Sequence, residues 1–335
     1  MIDGKSVSGF ALRVVIAIAL VALALLVWRL HDILLLVFAA TLVAVILHAA
    51  ADTLCGVVRL PRWLALALSG LIIVGVIATA ATLFGHEVAA QLSGLGEALP
   101  GAWATFANWV GEDRLQSVIS TVSPDGATVA SIAQTTLGMI TASITGLTLA
   151  VLGGVYLAAD PGGYRGGALL LLPEAARTPV GGAMRDTGRA LRNWLLAQLL
   201  SMLATFTVVF IGLSLIGVPS ALALAIVAGL LEFIPLVGPF LGAVPALLIA
   251  LTGGLELFLW TAGFFVVWQQ IEGNALAPLV MRYAVRIPPA VTLFALFLFG
   301  GLFGIGGIIL GGPLTVATWM MVRRLWIDER EKADV

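Results

Sequence analysis

Apolar and polar residues occur along this chain in long blocks rather than in short alternation. Six apolar runs are 18 to 23 residues long, and a helix needs roughly 20 apolar residues to cross the hydrocarbon core of a bilayer. These runs are residues 11–28, 33–51, 63–85, 137–159, 195–217 and 255–273. The pattern predicts an all-α polytopic membrane protein with about six full spans.

Two further apolar segments are too long for one span, and both are interrupted near the middle. Residues 219–252 would make a straight helix of about 51 Å, but prolines and a glycine break the helical hydrogen-bond ladder at their centre. Residues 287–322 have a glycine-rich centre that contains Gly300, Gly301, Gly304 and Gly307. We predict a helical hairpin in each segment, either re-entrant or made of two short spans.

Two polar segments indicate the orientation of the spans. Residues 86–136 hold five acidic groups and one arginine, a net charge of −4, whereas residues 160–194 hold five arginines and three acidic groups, a net charge of +2. Arginine-rich loops stay in the cytoplasm, whereas acidic segments cross the membrane freely. We therefore expect a small amphipathic helical domain outside the cytoplasm at 86–136, a cytoplasmic segment at 160–194, and cytoplasmic N and C termini.

The rest of the chain is assigned relative to the two polar segments 86–136 and 160–194. We expect three transmembrane helices in residues 1–85, a fourth in 137–159, a transport core with both hairpins in 195–322, and a cytoplasmic tail in 323–335. The end of the cytoplasmic segment has an apolar helical face, which predicts a helix lying on the inner membrane surface. The apolar face consists of Val180, Met184, Thr187, Leu191 and Trp194. The alternative is that this segment is a solvated connector helix.

Composition excludes several classes of protein. Of the 335 residues, 61% are hydrophobic and only 10% are charged, against about 25% charged in a soluble domain. The net charge of −1 argues against nucleic acid as a partner. The only lysines are Lys5 and Lys332, near the termini, so a phosphate-binding loop of the ATPase type is excluded.

Catalytic and metal motifs are also missing from the sequence. The three histidines lack metal-ligand spacing, and neither a GxSxG nor an HExxH motif occurs. We therefore expect no enzyme activity, no metal and no cofactor other than a coupling proton or Na⁺.

Carboxyl groups in the second half of the chain are the clearest functional candidates. Between residues 195 and 281 the only charged side chains are Glu232, Glu256 and Glu272. A carboxylate at membrane depth costs about 2.5–3.5 kcal/mol on insertion scales. Glu232 must therefore be protonated, bound to a cation or in a water-filled cavity, unless it lies at a hairpin tip near the headgroups. Glu256 follows two glycines and is expected at the membrane interface.

Neutral polar side chains accompany these carboxyls. Gln270, Glu272 and Asn274 follow closely on one another, and Gln270 and Asn274 share a helical face if the helix continues. Such a cluster can replace the hydration shell of an ion or bind a polar solute. The alternative is a helix cap at the inner surface. Gln198, at the start of the span 195–217, is a further polar candidate.

Interrupted segments that enter a membrane from opposite sides are typical of transporter binding sites, because broken helices present backbone groups and helix dipoles to a substrate. The turn of the first hairpin, with Pro235, Gly238 and Pro239, is therefore a candidate part of the site, as are the glycines of the second. Glycines at this spacing also allow close helix packing, and that interpretation stays open.

These residues in this order resemble the AI-2E family of bacterial transporters. The resemblance covers about residues 190–322 well and the remainder chiefly in the layout of the spans. Where many relatives have Gly-Gln, this chain has Ala197-Gln198. The residues that carry the resemblance are Glu232-Phe233-Ile234-Pro235, Gly238-Pro239, Gln270-x-Glu272-Gly273-Asn274, Pro278, Pro288, Gly304-x-x-Gly307 and Pro313.

The resemblance implies a multi-pass permease of the bacterial inner membrane that moves small solutes, in a family named for export of the signal autoinducer-2. Some relatives resemble sodium or lithium/proton antiporters instead. Carried over by position, it implies binding roles for Glu232, Gln270, Glu272, Asn274 and the turn from Pro235 to Pro239.

Three functions follow as hypotheses. The first is an ion-coupled secondary transporter that exports a small polar metabolite of the autoinducer-2 class. The second is a sodium or lithium/proton antiporter that uses the same residues, and the third is a non-transporting membrane scaffold that binds partners through 86–136. The expected partners are the lipid bilayer, a small-molecule or ion substrate and, because glycine-rich helices pack closely, further copies of the chain.

Overall fold

The computed structural model describes residues 29–57, 60–75, 78–79, 82, 146–276, 279 and 287–328. These residues are helical or lie between helices, and none of them is in a strand. The prediction of an all-α protein is therefore confirmed. The predicted acidic domain at 86–136 and the first predicted span at 11–28 lie outside the described residues.

Ten helices occur in the described part of the chain. Two of them continue into single turns with π-helical spacing, at Glu272–Leu276 and Arg323–Ile327. The helices are α1 His31–Val57, α2 Arg62–Gly75, α3 Gly146–Ala159, α4 Pro161–Leu170, α5 Glu174–Ile216, α6 Ala221–Leu231, α7 Gly238–Thr252, α8 Leu255–Ile271, α9 Pro289–Ile309 and α10 Gly311–Val322.

Helices α1, α5 and α9 are long and apolar enough to cross a membrane. Helices α2, α3, α6 and α7 are also apolar, but their described parts are shorter. Helices α6 and α7 have 11 and 15 residues, about 17 and 23 Å, less than the roughly 30 Å of a bilayer core, whereas α2 and α3 border residues outside the described part of the chain. The total of about six full spans therefore stays a prediction.

Helices α6 and α7 form a hairpin within the predicted segment 219–252. A methyl group at Gly242 of α7 would lie 2.9 Å from the Cα of Ala228 in α6, and a side chain at Gly238 would collide with the carbonyl of Leu231. The two arms therefore run close together up to the turn at residues 232–237. The prolines and glycine that predicted a break lie in this turn and at the start of α7.

The segment 287–322 also folds back on itself. Gly304 has φ 61° and ψ −142° in the middle of α9, a conformation that glycine adopts far more readily than other residues. Residues before and after Gly304 lie close together: a side chain at Gly307 would collide with the carbonyl of Phe299. Further out, a methyl group at Gly311 would lie 2.7 Å from the side chain of Leu296. Although α9 has the length of a span, its chain reverses at Gly304, and the second predicted hairpin is present.

Helix α5 is the element on which both hairpins pack. Its 43 residues make it about 65 Å long. Its C-terminal half packs with α6, α7 and α8 in a core that includes Val209, Leu224, Ile249 and Phe265. Its N-terminal half packs with α1 and α10 in a second core that includes Leu42, Leu191, Trp194 and Val316.

The apolar face predicted at 175–194 is partly covered by other helices. Thr187, Leu191 and Trp194 are buried, because α1 and α10 cover this face. The helix also continues without a break from residue 174 to residue 216, so residue 194 is not the end of a separate surface helix. Leu191 and Trp194 on this face therefore contact other helices of the protein, whereas Val180 and Met184 are only half-buried. That this segment lies on the inner membrane surface stays a prediction.

Ion pairs attach α5 to its neighbours at the same end. Asp186 accepts from Arg324 at 2.7 Å and also pairs with Arg189, and Arg192 lies 3.5 Å from Asp52 of α1. Arg324, which was assigned to the predicted tail, thus belongs to the folded part of the chain. These partly exposed pairs contribute about 0–1 kcal/mol each.

We expect Gly307→Ala to destabilise the second hairpin. The added methyl group meets the backbone of Phe299, which cannot move without bending an arm of the hairpin, and overpacking of this kind costs about 1–3 kcal/mol. The melting temperature of the purified protein in detergent should fall. Gly301→Ala is the matched control, because Gly301 lies in the same hairpin with no atom near its Cβ position. Equal melting of the two variants would contradict this packing.

Candidate functional site

A cavity of about 480 Å³ lies where α5, both hairpins and the end of α8 meet. Segments that are far apart in sequence therefore contribute to a single space. The lining residues are Trp194, Gln198, Ser201, Glu232, Pro235, Leu236, Pro239, Gln269, Glu272, Gly273, Ile287, Pro289, Thr292, Gly312, Thr315 and Val316.

Glu232 is the most enclosed charged residue of the cavity. It follows the last residue of α6, where the first hairpin turns, and only 5% of its surface is exposed. Its Oε2 atom is buried and has no hydrogen-bond partner. A buried carboxylate without a donor or cation is costly, so the position requires a proton, a cation or a bound ligand.

Glu272 brings a second carboxyl group to the same place. It lies at the start of the π-helical turn after α8, and its Oε2 atom is likewise buried without a partner. The Glu232 carboxyl interacts with the Glu272 carboxyl and with the hydroxyl of Thr205. Two ionised carboxylates in one cavity repel one another, whereas a proton or cation between them is stabilised by both.

Gln198 holds the turn that carries Glu232. Its side chain is 4% exposed, and its Nε2 donates to the backbone carbonyl of Glu232 at 2.5 Å. This carbonyl lies at the C-terminal end of α6, where helical carbonyls lack partners within the helix. The hydrogen bond therefore fixes the first hairpin to α5 directly beside the carboxyl pair.

The two hairpins also touch one another at the wall of the cavity. The ring of Trp194 packs edge-on against Phe233 of the first hairpin, with centroids 5.9 Å apart. A methyl group at Gly312 of the second hairpin would lie 2.6 Å from the Trp194 ring and 3.1 Å from Pro235. Glycine at position 312 therefore allows the hairpins and Trp194 to meet at close range.

Several predicted site residues line the cavity, and others do not. Glu232, Pro235, Pro239, Glu272 and Gln198 line it. Gly238 lies behind the turn, where it lets the arms approach. Gly300, Gly301, Gly304 and Gly307 form the tip of the second hairpin and are not among the lining residues.

The predicted amide pair at the end of α8 also lies outside the cavity. Gln270 and Asn274 are exposed, and Asn274 Nδ2 donates to the Gln270 carbonyl at 2.9 Å, which is the helix-cap arrangement given above as the alternative. Gln269 is the amide that faces the cavity. A binding role for Gln270 and Asn274 stays a prediction.

Ser201 and Thr205 of α5 were missed, although Gln198 was predicted. Together with Trp194 and Gln198 they recur at spacings of four, three and four residues and are all buried, so the four share one helical face. Three polar residues at helical spacing within an otherwise apolar run are the signal that could have found them. Gly312 and Thr315 of α10, whose neighbours are apolar, gave no such signal.

The chemistry of the cavity is acidic and rich in oxygen atoms. Of the described residues that line it, none is a lysine, arginine or histidine, and two are glutamates. Gln198, Ser201, Gln269, Thr292 and Thr315 supply neutral polar groups. Such a site can exchange a proton for another cation, or bind a solute while one carboxyl gains or loses a proton.

Comparison with known proteins places the chain in a family. Residues 15–326 match the family described as AI-2E family transporter. The chain belongs to the AI-2E family. It is 28% identical over 279 residues to "Putative transport protein YueF" of Bacillus subtilis, a match that covers 76% of this chain and 74% of that protein.

Shorter matches connect the chain to other bacterial members of the AI-2E family. It is 34% identical over 152 residues to "Putative transport protein YrrI" of Bacillus subtilis, which covers 45% of this chain and 43% of that protein. It is 30% identical over 141 residues to "Putative transport protein YhhT" of Escherichia coli, which covers 42% of this chain and 39% of that protein. With YrrI and YhhT, the match thus spans less than half of the relative.

We expect Gln198→Leu to loosen the turn that carries Glu232. The substitution keeps most of the side-chain volume but leaves the buried Glu232 carbonyl without its donor, which costs about 1–3 kcal/mol. The melting temperature in detergent should fall. Gln270→Leu is the matched control, because Gln270 is exposed and lies outside the cavity. The assigned role is wrong if both variants melt at the temperature of the unmodified protein.

Proposed function

We propose that this AI-2E family protein is a proton-coupled secondary transporter and that Glu232 and Glu272 bind the coupling proton. The observation that carries the proposal is that both carboxyl-bearing residues line one cavity between two hairpins and interact there. A shared proton satisfies the pair, and its loss leaves a negative charge that attracts a cation or reorganises the site. Proton movement and occupancy of the cavity thereby become coupled.

The short arms of the two hairpins support the proposal of a transporter. Helices α6 and α7 have 11 and 15 residues, about 17 and 23 Å, and the first arm of the second hairpin, 289–303, is similar. Such arms fit re-entrant segments that end inside a bilayer of roughly 30 Å. Residues of both hairpins line the cavity, as expected for a site near the membrane centre.

The substrate we propose is a small polar metabolite of the autoinducer-2 class, exported across the bacterial inner membrane with both termini in the cytoplasm. A volume of about 480 Å³ falls within the range of roughly 300–1,000 Å³ that small-molecule sites occupy. The class of metabolite and the direction follow from the family resemblance.

Sodium or lithium/proton antiport is the second candidate, because oxygen atoms dominate the polar lining. The carboxyls of Glu232 and Glu272 and the hydroxyls of Ser201 and Thr315 are the kind of ligand that hard cations prefer. In this version the metal cation is the substrate and replaces the proton between the carboxyls.

We expect Glu232→Gln to abolish proton coupling, because glutamine has the shape of the protonated acid but cannot release a proton. The measurement is the signal of a pH dye inside proteoliposomes when autoinducer-2, Na⁺ or Li⁺ is added in turn. The unmodified protein should move protons in response to one of them. Glu256→Gln is the matched control, since Glu256 is exposed and does not line the cavity.

The three additions separate the two candidates. A response to autoinducer-2 that needs no Na⁺ or Li⁺ supports metabolite export, and a response to Na⁺ or Li⁺ without any solute supports antiport. Unchanged coupling in Glu232→Gln would contradict the assignment of the proton site in both cases.

A further inference from the structure

The charge that the cavity presents restricts which solutes it can hold. Its two carboxyls come from separate elements, Glu232 from the turn after α6 and Glu272 from the turn after α8. The other elements around them present neutral groups among their described residues: Gln198 and Ser201 on α5, Thr292 on α9 and Thr315 on α10. An anionic solute would meet two groups of its own charge, whereas a cationic solute would neutralise one of them.

The hydrogen-bonding groups of the cavity also favour a cationic solute. The Thr315 hydroxyl already donates to the Gly311 carbonyl at 2.6 Å, and the Gln198 amide already donates to the Glu232 carbonyl at 2.5 Å. Their oxygen atoms remain able to accept. Together with the Oε2 atoms of Glu232 and Glu272, which have no hydrogen-bond partner, they give the lining several free acceptors, while Ser201, Gln269 and Thr292 can donate as well as accept. An ammonium group, with three donors and no acceptor, is the complement of these acceptors.

The apolar walls of the cavity favour an organic cation over a metal ion as its substrate. Trp194, Leu236, Ile287 and Val316, with three prolines, form much of the surface of the cavity. A bare metal ion binds through oxygen atoms and gains nothing from apolar walls. A hydrocarbon body of several carbons gains free energy from contact with them, and a cavity of about 480 Å³ has room for one.

We propose that the substrate of this cavity is a small organic cation, a primary amine with a short hydrocarbon body, whose ammonium group binds between Glu232 and Glu272. The inference rests on the proton coupling of the proposed function, and it names a cationic solute in place of the metabolite of the autoinducer-2 class. The ammonium group and the proton are alternative partners of the same carboxyls. Binding of the amine therefore releases a proton, and export of the amine is driven by proton entry.

A matched series of solutes tests this inference. 4-Amino-1-butanol, 1,4-butanediol and 4-hydroxybutanoate have the same chain length and carry a positive, zero and negative charge at neutral pH. Binding to the purified full-length protein is measured by titration calorimetry. We expect the amine to bind at least about tenfold more tightly than the diol, since a charge-assisted hydrogen bond contributes that much, and the anion to bind least.

Variants at the carboxyls show whether the preference originates there. In Glu232→Gln and in Glu272→Gln the amine should lose most of its advantage over the diol, while both solutes still bind. Glu256→Gln should keep the full preference. Binding of the diol to the variants also shows that the cavity remains intact, so a loss of amine binding cannot be attributed to misfolding.

The outcomes separate this inference from the proposed function. Tighter binding of the diol or the anion than of the amine overturns the inference, and so does an amine preference that survives in both glutamine variants. Proton-coupled transport of an uncharged solute, with no response to the amine, leaves the proposed function standing and rejects the organic cation. Absence of any proton movement that depends on Glu232 in proteoliposomes rejects the proposed function itself.

Discussion

A carboxyl group enclosed by protein at the end of a helix has to be neutralised, because an isolated buried charge is too costly to keep. Glu232 is in this position, with one oxygen atom that lacks a partner and a second carboxyl, that of Glu272, beside it. The geometry of the surrounding helices maintains the arrangement. Gln198 fixes the turn through its backbone carbonyl and leaves the carboxyl itself free to exchange its partner.

Several glycines allow the close helix packing that surrounds the carboxyl pair. Gly238 and Gly307 lie where the arms of each hairpin come too close for any side chain, and Gly304 provides the reversal of the second hairpin. Gly312 then lets the second hairpin approach Trp194 and Pro235. Packing and function were alternative explanations for these glycines in the sequence. The structure supports the packing explanation, because these glycines lie where the arms approach closely, and a direct role in binding stays a prediction.

The sequence was most informative where membrane physics leaves few choices. Run lengths, together with glycine and proline, predicted the helical class, the hairpin turn at 232–237 and the second reversal. The scarcity of charged residues identified Glu232 as a candidate site residue. Long-range packing could not be predicted in the same way. The apolar face at 175–194 is covered by α1 and α10, and Gln269 rather than Gln270 faces the cavity, because both depend on how a helix is rotated against its neighbours.

We propose that the carboxyl pair of Glu232 and Glu272 takes up and releases a proton. Infrared difference spectroscopy of the purified protein measures this directly, through the carbonyl-stretch band that only a protonated carboxyl shows. The account predicts a band that disappears as the pH is raised, that is absent in Glu232→Gln and that is retained in Glu256→Gln. A spectrum in which Glu232→Gln shows the same pH-dependent band as the unmodified protein would contradict it.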